Sequence, residues 1–193
     1  GLDCVGADLL FRDLRQDLPH IRRLMRQGTW GQLDSSIPAI TVPAWSSMLS
    51  GRDPGVLGIY GFRNRANYDY DDLSIADSRA VKHKRLWDYV GEAGRKSLVV
   101  NVPQTYPVTP VQGNLVSGFL TANTDEAFTY PAILKNEILK QVPEYRFDVS
   151  DYRHIERKQL FQNIIDMTVD QYHVLEDLLT TKTWDFAMHV NIG

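Results

Sequence analysis

Lys96-Ser97-Leu98-Val99-Val100-Asn101-Val102 (KSLVVNV) is the stretch on which the reading of the fold turns. Its apolar residues fall on both parities of an extended chain, so neither face of a strand here suits water. Such a strand belongs inside a sheet that is covered on both sides. Immediately before it, Arg85 to Gly94 reads as a helix, with Leu86, Tyr89 and Val90 on one face and Gly94 closing it. After it, Val111 to Leu120 holds a second strand candidate, and Pro131 to Gln141 reads as a short helix. Ile155 to Leu179 is the longest periodic segment, with Phe161, Ile164, Ile165, Thr168, Tyr172, Leu175 and Leu179 in one stripe. Trp184 to Ile192 (WDFAMHVNI) ends the chain as a further strand. Helices alternating with apolar strands predict an α/β protein, a sheet sandwiched by helices.

The N-terminal third extends the pattern. Leu18 to Gly28 reads as a helix with Ile21, Leu24 and Met25 on one face and Gly28 as its stop. Thr29 to Leu33 is a short strand candidate, followed by a loop from Asp34 to Pro38. Ile40 to Gly51 (ITVPAWSSMLSG) is a helix whose first turn holds Pro43 and whose end is set by Gly51. Thr41 then lies at, or just before, a helix N-terminus. Tyr60 to Ser78 is polar and rich in Tyr and Asp, a surface loop or small hairpin.

The composition narrows the class without naming a substrate. At 193 residues, 43% apolar and 23% charged, the chain is long enough for one well-packed domain of ordinary make-up. A formal net charge of −3 gives no basic footprint for nucleic acid and no polybasic patch for a membrane. Cys4 is the only cysteine, so no intrachain disulfide forms, which fits a reducing compartment. No segment approaches the roughly 20 apolar residues of a membrane span, and no signal-peptide pattern opens the chain. A cytoplasmic location is the expectation, with an export signal upstream of Gly1 left open. Gly1 and Gly193 read as strand termini, whereas domains commonly end in polar linkers. Residues 1–193 are therefore expected to be a fragment, or part of a longer chain.

Thr41 and Asp3 are the residues with chemistry to offer. A hydroxyl at a helix N-terminus meets unclaimed backbone N–H groups and the positive end of the helix dipole, which suits a phosphate. A threonine hydroxyl is a weak nucleophile until a base or a metal activates it. Asp3, at the end of an expected strand, is the candidate metal ligand. The plainer readings stay open: a Thr before a helix is ordinarily an N-cap, and an isolated Asp is ordinarily a turn residue. His20, His83, His154, His173 and His189 show no i, i+4 metal pair. Arg63 and Arg65 could reach a substrate phosphate through a guanidinium fork, or lie in a solvated loop. Asp69, Asp71 and Asp72 form a short acidic cluster that faces water, and Tyr106 either lines a pocket or packs.

The run Pro38-Ala39-Ile40-Thr41-Val42-Pro43-Ala44-Trp45, then Ser50-Gly51-Arg52-Asp53-Pro54, then Gly58-Ile59, resembles the type I phosphodiesterase/nucleotide pyrophosphatase family of the alkaline phosphatase superfamily. Gly1-Leu2-Asp3 is similar to that family's first metal-binding strand end. Thr105-Tyr106-Pro107, Val116-Ser117-Gly118 and Leu120-Thr121 resemble a prokaryotic branch of predicted phosphodiesterases. The resemblance implies an alkaline phosphatase-like α/β/α sandwich with a mostly parallel central sheet, incomplete in this chain. It implies two divalent metal ions, zinc or manganese, and a small-molecule phosphate ester as substrate. Thr41 would attack phosphorus and form a phospho-threonine, Asp3 and Thr41 would bind metal, and the Val42 amide would help hold a phosphate oxygen, with Arg63 a candidate for another from the residue reading above. Phosphomonoester or phosphonate hydrolysis, or ligand binding without turnover, are the alternatives. The family's downstream Asp-x-x-x-His motif, Asp-His pair and further His do not occur here. The 193 residues by themselves are therefore expected to show little or no turnover.

Overall fold

The computed structural model describes every residue except Ala66, Tyr68 and Gly193. Its helices are α1 (Pro19–Gln27), α2 (Thr41–Ser50), α3 (Pro54–Leu57), α4 (Leu86–Glu92), α5 (Leu134–Gln141) and α6 (Arg157–Thr181). Its strands are β1 (Arg63–Arg65), β2 (Leu73–Ile75), β3 (Ser97–Val102), β4 (Gly113–Ser117), β5 (Thr129–Tyr130) and β6 (Phe186–His189). The sheet has the order β5-β4-β3-β6, with β3 parallel to both β4 and β6 and β5 antiparallel at one edge. The expected mostly parallel α/β sheet is therefore present. β1 and β2 form the small hairpin, apart from this sheet.

Every residue of β3 is buried, as a strand apolar on both parities requires. Leu98 and Val100 face α5 and α6, packing with Leu134, Ile138, Val174 and Leu178. Val99 and Val102 face the other way, toward Leu49 of α2 and Trp87 of α4. Helices thus cover both faces, giving the α/β/α sandwich. Val99 and Val102 share a face although three residues apart, because the register with β4 slips between Val100 and Val102. Asn101 absorbs the slip with φ +55, a left-handed value that Asn tolerates better than most residues. Its Oδ1 accepts the Tyr145 hydroxyl at 2.8 Å.

Leu2 makes a parallel bridge with Asn191, just past the end of β6. Asp3 N–H donates to the Asn191 carbonyl at 2.9 Å, and Asn191 N–H donates to the Gly1 carbonyl at 3.0 Å. The chain's first residues are thereby fastened to the carboxyl end of the last strand.

Three expectations need correction. Thr29 to Leu33 is not a strand: no neighbouring strand pairs with it, Trp30 rests on Phe11 with ring centroids 4.9 Å apart, and Leu33 is exposed. In α4 the buried residue is Trp87, while Leu86 and Tyr89 face solvent. The Arg85 guanidinium lies 4.9 Å over the Trp87 ring and donates to the Gln104 carbonyl, which fixes that orientation. On α6 the buried row is Met167, Gln171, Val174 and Leu178, whereas Phe161, Ile165 and Tyr172 are exposed. Gln171 sits in that row because its Nε2 donates to the Arg146 carbonyl at 3.0 Å. A count of apolar residues alone cannot see a satisfied core glutamine. No helix among the described residues is long and apolar enough to cross a membrane.

Candidate active site

Helix α2 delivers Thr41 to the end of the sheet. Ile40 is extended (φ −127°, ψ 146°) and the chain turns into the helix at Thr41. Pro43 presets φ in the first turn, where no backbone donor is needed. At the far end Gly51 adopts φ +66 and donates to the Ser47 carbonyl at 2.9 Å. Val42 and Leu49 are buried, and Leu49 anchors the helix on the sheet face that carries Val99. The first α-helical hydrogen bond runs from Ala44 N–H to the Ile40 carbonyl at 3.0 Å. The amides of Thr41 and Val42 lie ahead of it, in the turn where a helix leaves its donors unclaimed.

Asp3 and Thr41, separated by 38 positions, meet here. Thr41 Oγ1 donates to Asp3 Oδ2 at 3.0 Å, and Trp45 Nε1 donates to Asp3 Oδ1 at 2.8 Å. Both carboxylate oxygens therefore have a partner from α2. The Cys4 thiol lies 3.5 Å from Asp3 Oδ2, and Cys4 itself holds φ +58. Burial first, and then the Asp3 charge, push the Cys4 thiol up from its ordinary range. That shift disfavours the thiolate, the form in which a cysteine attacks or binds a metal.

A cavity of about 580 Å³ opens over this pair. Phe62, Phe119, Tyr152, Leu160, Ile164 and Met167 make its wall largely apolar. Asp148 adds a second carboxyl group to the same cavity. Burial pushes that group above the ordinary carboxylate range, against the opposing effect of the Val149 N–H it accepts at 2.7 Å.

Other sequence candidates lie elsewhere. Arg63 is exposed on β1, next to Phe62 of the cavity wall but not itself lining it. Arg65 is taken up by the Tyr70 ring, 3.6 Å from its centroid. The Tyr106 hydroxyl donates to Glu126 at 2.7 Å, away from Thr41. His20, His154 and His173 are exposed. His189 faces the Tyr172 ring at 5.4 Å, and burial with the nearby Gly1 amine pushes it down to about 4. Neither ring nitrogen of His189 has a hydrogen-bond partner among the described residues. Trp45 and Asp148 were not singled out by the sequence. Trp45 lies one turn from Thr41, so i, i+4 spacing alone could have placed the two side by side. Asp148 carried no such signal.

Two oxygen donors as close as Thr41 Oγ1 and Asp3 Oδ2 suit two positions around one divalent ion. A two-ion centre needs roughly six protein ligands. Among the described residues no group of three or more His, Cys, Asp or Glu is placed to hold a metal. The pair thus fits part of one ion's shell, and a two-ion centre does not fit these residues.

A helix-borne hydroxyl set against a carboxylate beyond the carboxyl end of β6 lies where open α/β sheets bind ligands, with a helix start suited to an anion beside it. The comparison with family models is more specific: the model of type I phosphodiesterase / nucleotide pyrophosphatase matches residues 1–190. The chain belongs to that family, which acts on phosphate esters. No curated protein and no solved structure matches it.

Proposed function

We propose that Thr41 is the nucleophile of a phosphodiesterase-type hydrolase and that Asp3 is its activating partner. The observation that carries this reading is the 3.0 Å hydrogen bond from Thr41 Oγ1 to Asp3 Oδ2 at the start of α2. The substrate's phosphoryl group sits at the helix start, where the Thr41 and Val42 amides and the helix dipole meet its oxygens. Thr41 Oγ attacks phosphorus in line, and its proton leaves along the hydrogen bond toward Asp3 Oδ2. The new bond is Oγ–P, and the bond that breaks is P–O to the departing alcohol, which takes up a proton. Water then cleaves the phospho-threonine and restores the hydroxyl. Arg63, directly after the wall residue Phe62, is assigned to an outer phosphate oxygen through its guanidinium fork.

A divalent ion such as Zn²⁺ or Mn²⁺, held by Asp3 and Thr41, would lower the pKa of the hydroxyl. The apolar wall above Thr41 favours a diester over a monoester, since a second organic group then has a surface to bury. Hydrolysis of matched p-nitrophenyl mono- and diesters by the full-length protein with Zn²⁺ or Mn²⁺ tests the reading. Diester turnover that disappears in Thr41→Ala is expected. Absence of turnover for both esters with metal bound would replace catalysis by ligand binding.

A further inference from the structure

The hydrogen bonds around Asp3 divide its two oxygens between two residues of one helix. Trp45 follows Thr41 by four positions, so both side chains leave α2 on the same side, one turn apart. The indole takes Oδ1 at 2.8 Å and the hydroxyl takes Oδ2 at 3.0 Å. A carboxylate held by one donor can still rotate about its Cβ–Cγ bond; one held at both oxygens cannot rotate without losing a partner. The indole is itself held. Trp45 packs with the cluster around Leu49, Trp87 and Val190, and the Gly1 backbone lies against its outer edge. A Cβ built on Gly1 would come within 2.4 Å of Trp45 Cη2, so the ring is flanked too closely to swing away on that side.

We propose that Trp45 is a positioning residue. Its N–H binds Asp3 Oδ1 and so fixes the carboxylate with Oδ2 toward the Thr41 hydroxyl, and toward any divalent ion that the pair holds. Asp3 is then held with its carboxylate plane fixed and Oδ2 toward Thr41, because turning that plane would break the bond to the indole. This deepens the reading of Thr41 and Asp3 given above and rests on it. Trp45 touches no reacting atom and acts through Asp3. Partners of this kind, one shell out from a ligand, change metal affinity or activity by roughly 10- to 100-fold when removed.

The test uses the protein labelled with ¹⁵N at tryptophan and a Trp45→Phe variant, which keeps a ring for packing but has no donor. Trp45→Phe assigns the indole N–H cross-peak of Trp45. That peak is expected to move upfield in Asp3→Ala and to stay nearly in place in Thr41→Ala, since only Asp3 accepts from it. Mn²⁺ titrated calorimetrically should bind Trp45→Phe at least tenfold more weakly than wild type, while the remaining indole peaks hold their positions. A structural role for Trp45 would move those other peaks and would not single out the ion. The inference is overturned if the Trp45 peak ignores Asp3→Ala. It is equally overturned if the peak responds but wild type and Trp45→Phe take up Mn²⁺ alike, or neither does. Should peak and ion both behave as expected while no phosphate ester is turned over, the proposed function fails and the positioning role stands.

Discussion

The two faces of the sheet are built on different terms. On the α5/α6 side, Leu98, Val100 and Val116 meet Phe128, Tyr145 and Phe147 in a closed apolar cluster. Phe128 contacts both other rings, stacked on Tyr145 at 6.2 Å and edge-on to Phe147 at 5.0 Å. On the α2/α4 side the packing around Leu49 and Trp87 gives way, at the edge beyond β6, to the bonds from Thr41 and Trp45 to Asp3. Many contacts share the load on the first face. On the second, Leu49, Trp87, Val99, Val102, Leu115 and Val190 pack as a core of their own, and the directional bonds to Asp3 are confined to its edge. The aromatic cluster and the bonds around Asp3 are therefore separate parts of the molecule, and substitutions in each should tell packing from site geometry.

The largest effect is expected from Phe128→Ala. The ring is fully buried, and its loss should cost about 3–5 kcal/mol in urea unfolding, as for other core Phe→Ala changes. A much smaller loss would mean that the α5/α6 face does not carry the stability. Next is a pH dependence at the edge of that face. His189 is pushed down to about 4 by burial, with the Gly1 amine adding to it, from an ordinary value near 6.5. The unfolded chain therefore binds the extra proton between those two values. Stability from this group is complete above about pH 6.5 and falls by up to about 1.4 kcal/mol per pH unit as pH drops toward 4. Comparison of urea midpoints at pH 7.5 and 5 should show the loss, and His189→Gln should remove most of it. The smallest effect on stability is expected from Thr41→Ala. One part-buried hydrogen bond is lost, about 1 kcal/mol, and the same change should abolish ester turnover. A Thr41→Ala protein that unfolds as readily as Phe128→Ala would erase the distinction between the faces.

The sequence was most readable where a local rule and the fold agree. The run from Lys96 to Val102 is buried on both faces because it lies between two strands and two helix layers. Pro43 and Gly51 bound α2 by backbone preferences that need no tertiary partner. Where a partner decides, local rules failed. Thr29 to Leu33 has strand-like residues but no neighbouring edge, and Gln171 enters the core on the strength of a carbonyl from Arg146. The site divides in the same way. Thr41 could be found from its place at a helix start, and Asp3 from its place at a strand end. Their contact, the Trp45 bond and the presence of Asp148 in the same cavity depend on chain segments far apart in sequence.

The central claim is that Thr41 takes the phosphoryl group. Its most direct test is an acid quench of the full-length protein during turnover of an aryl phosphodiester with Zn²⁺ or Mn²⁺ present, followed by peptide mass mapping. The account predicts a phosphate on the peptide that contains Thr41, located on that residue, and none in Thr41→Ala. Phosphate on another residue, or turnover that continues in Thr41→Ala, would contradict it.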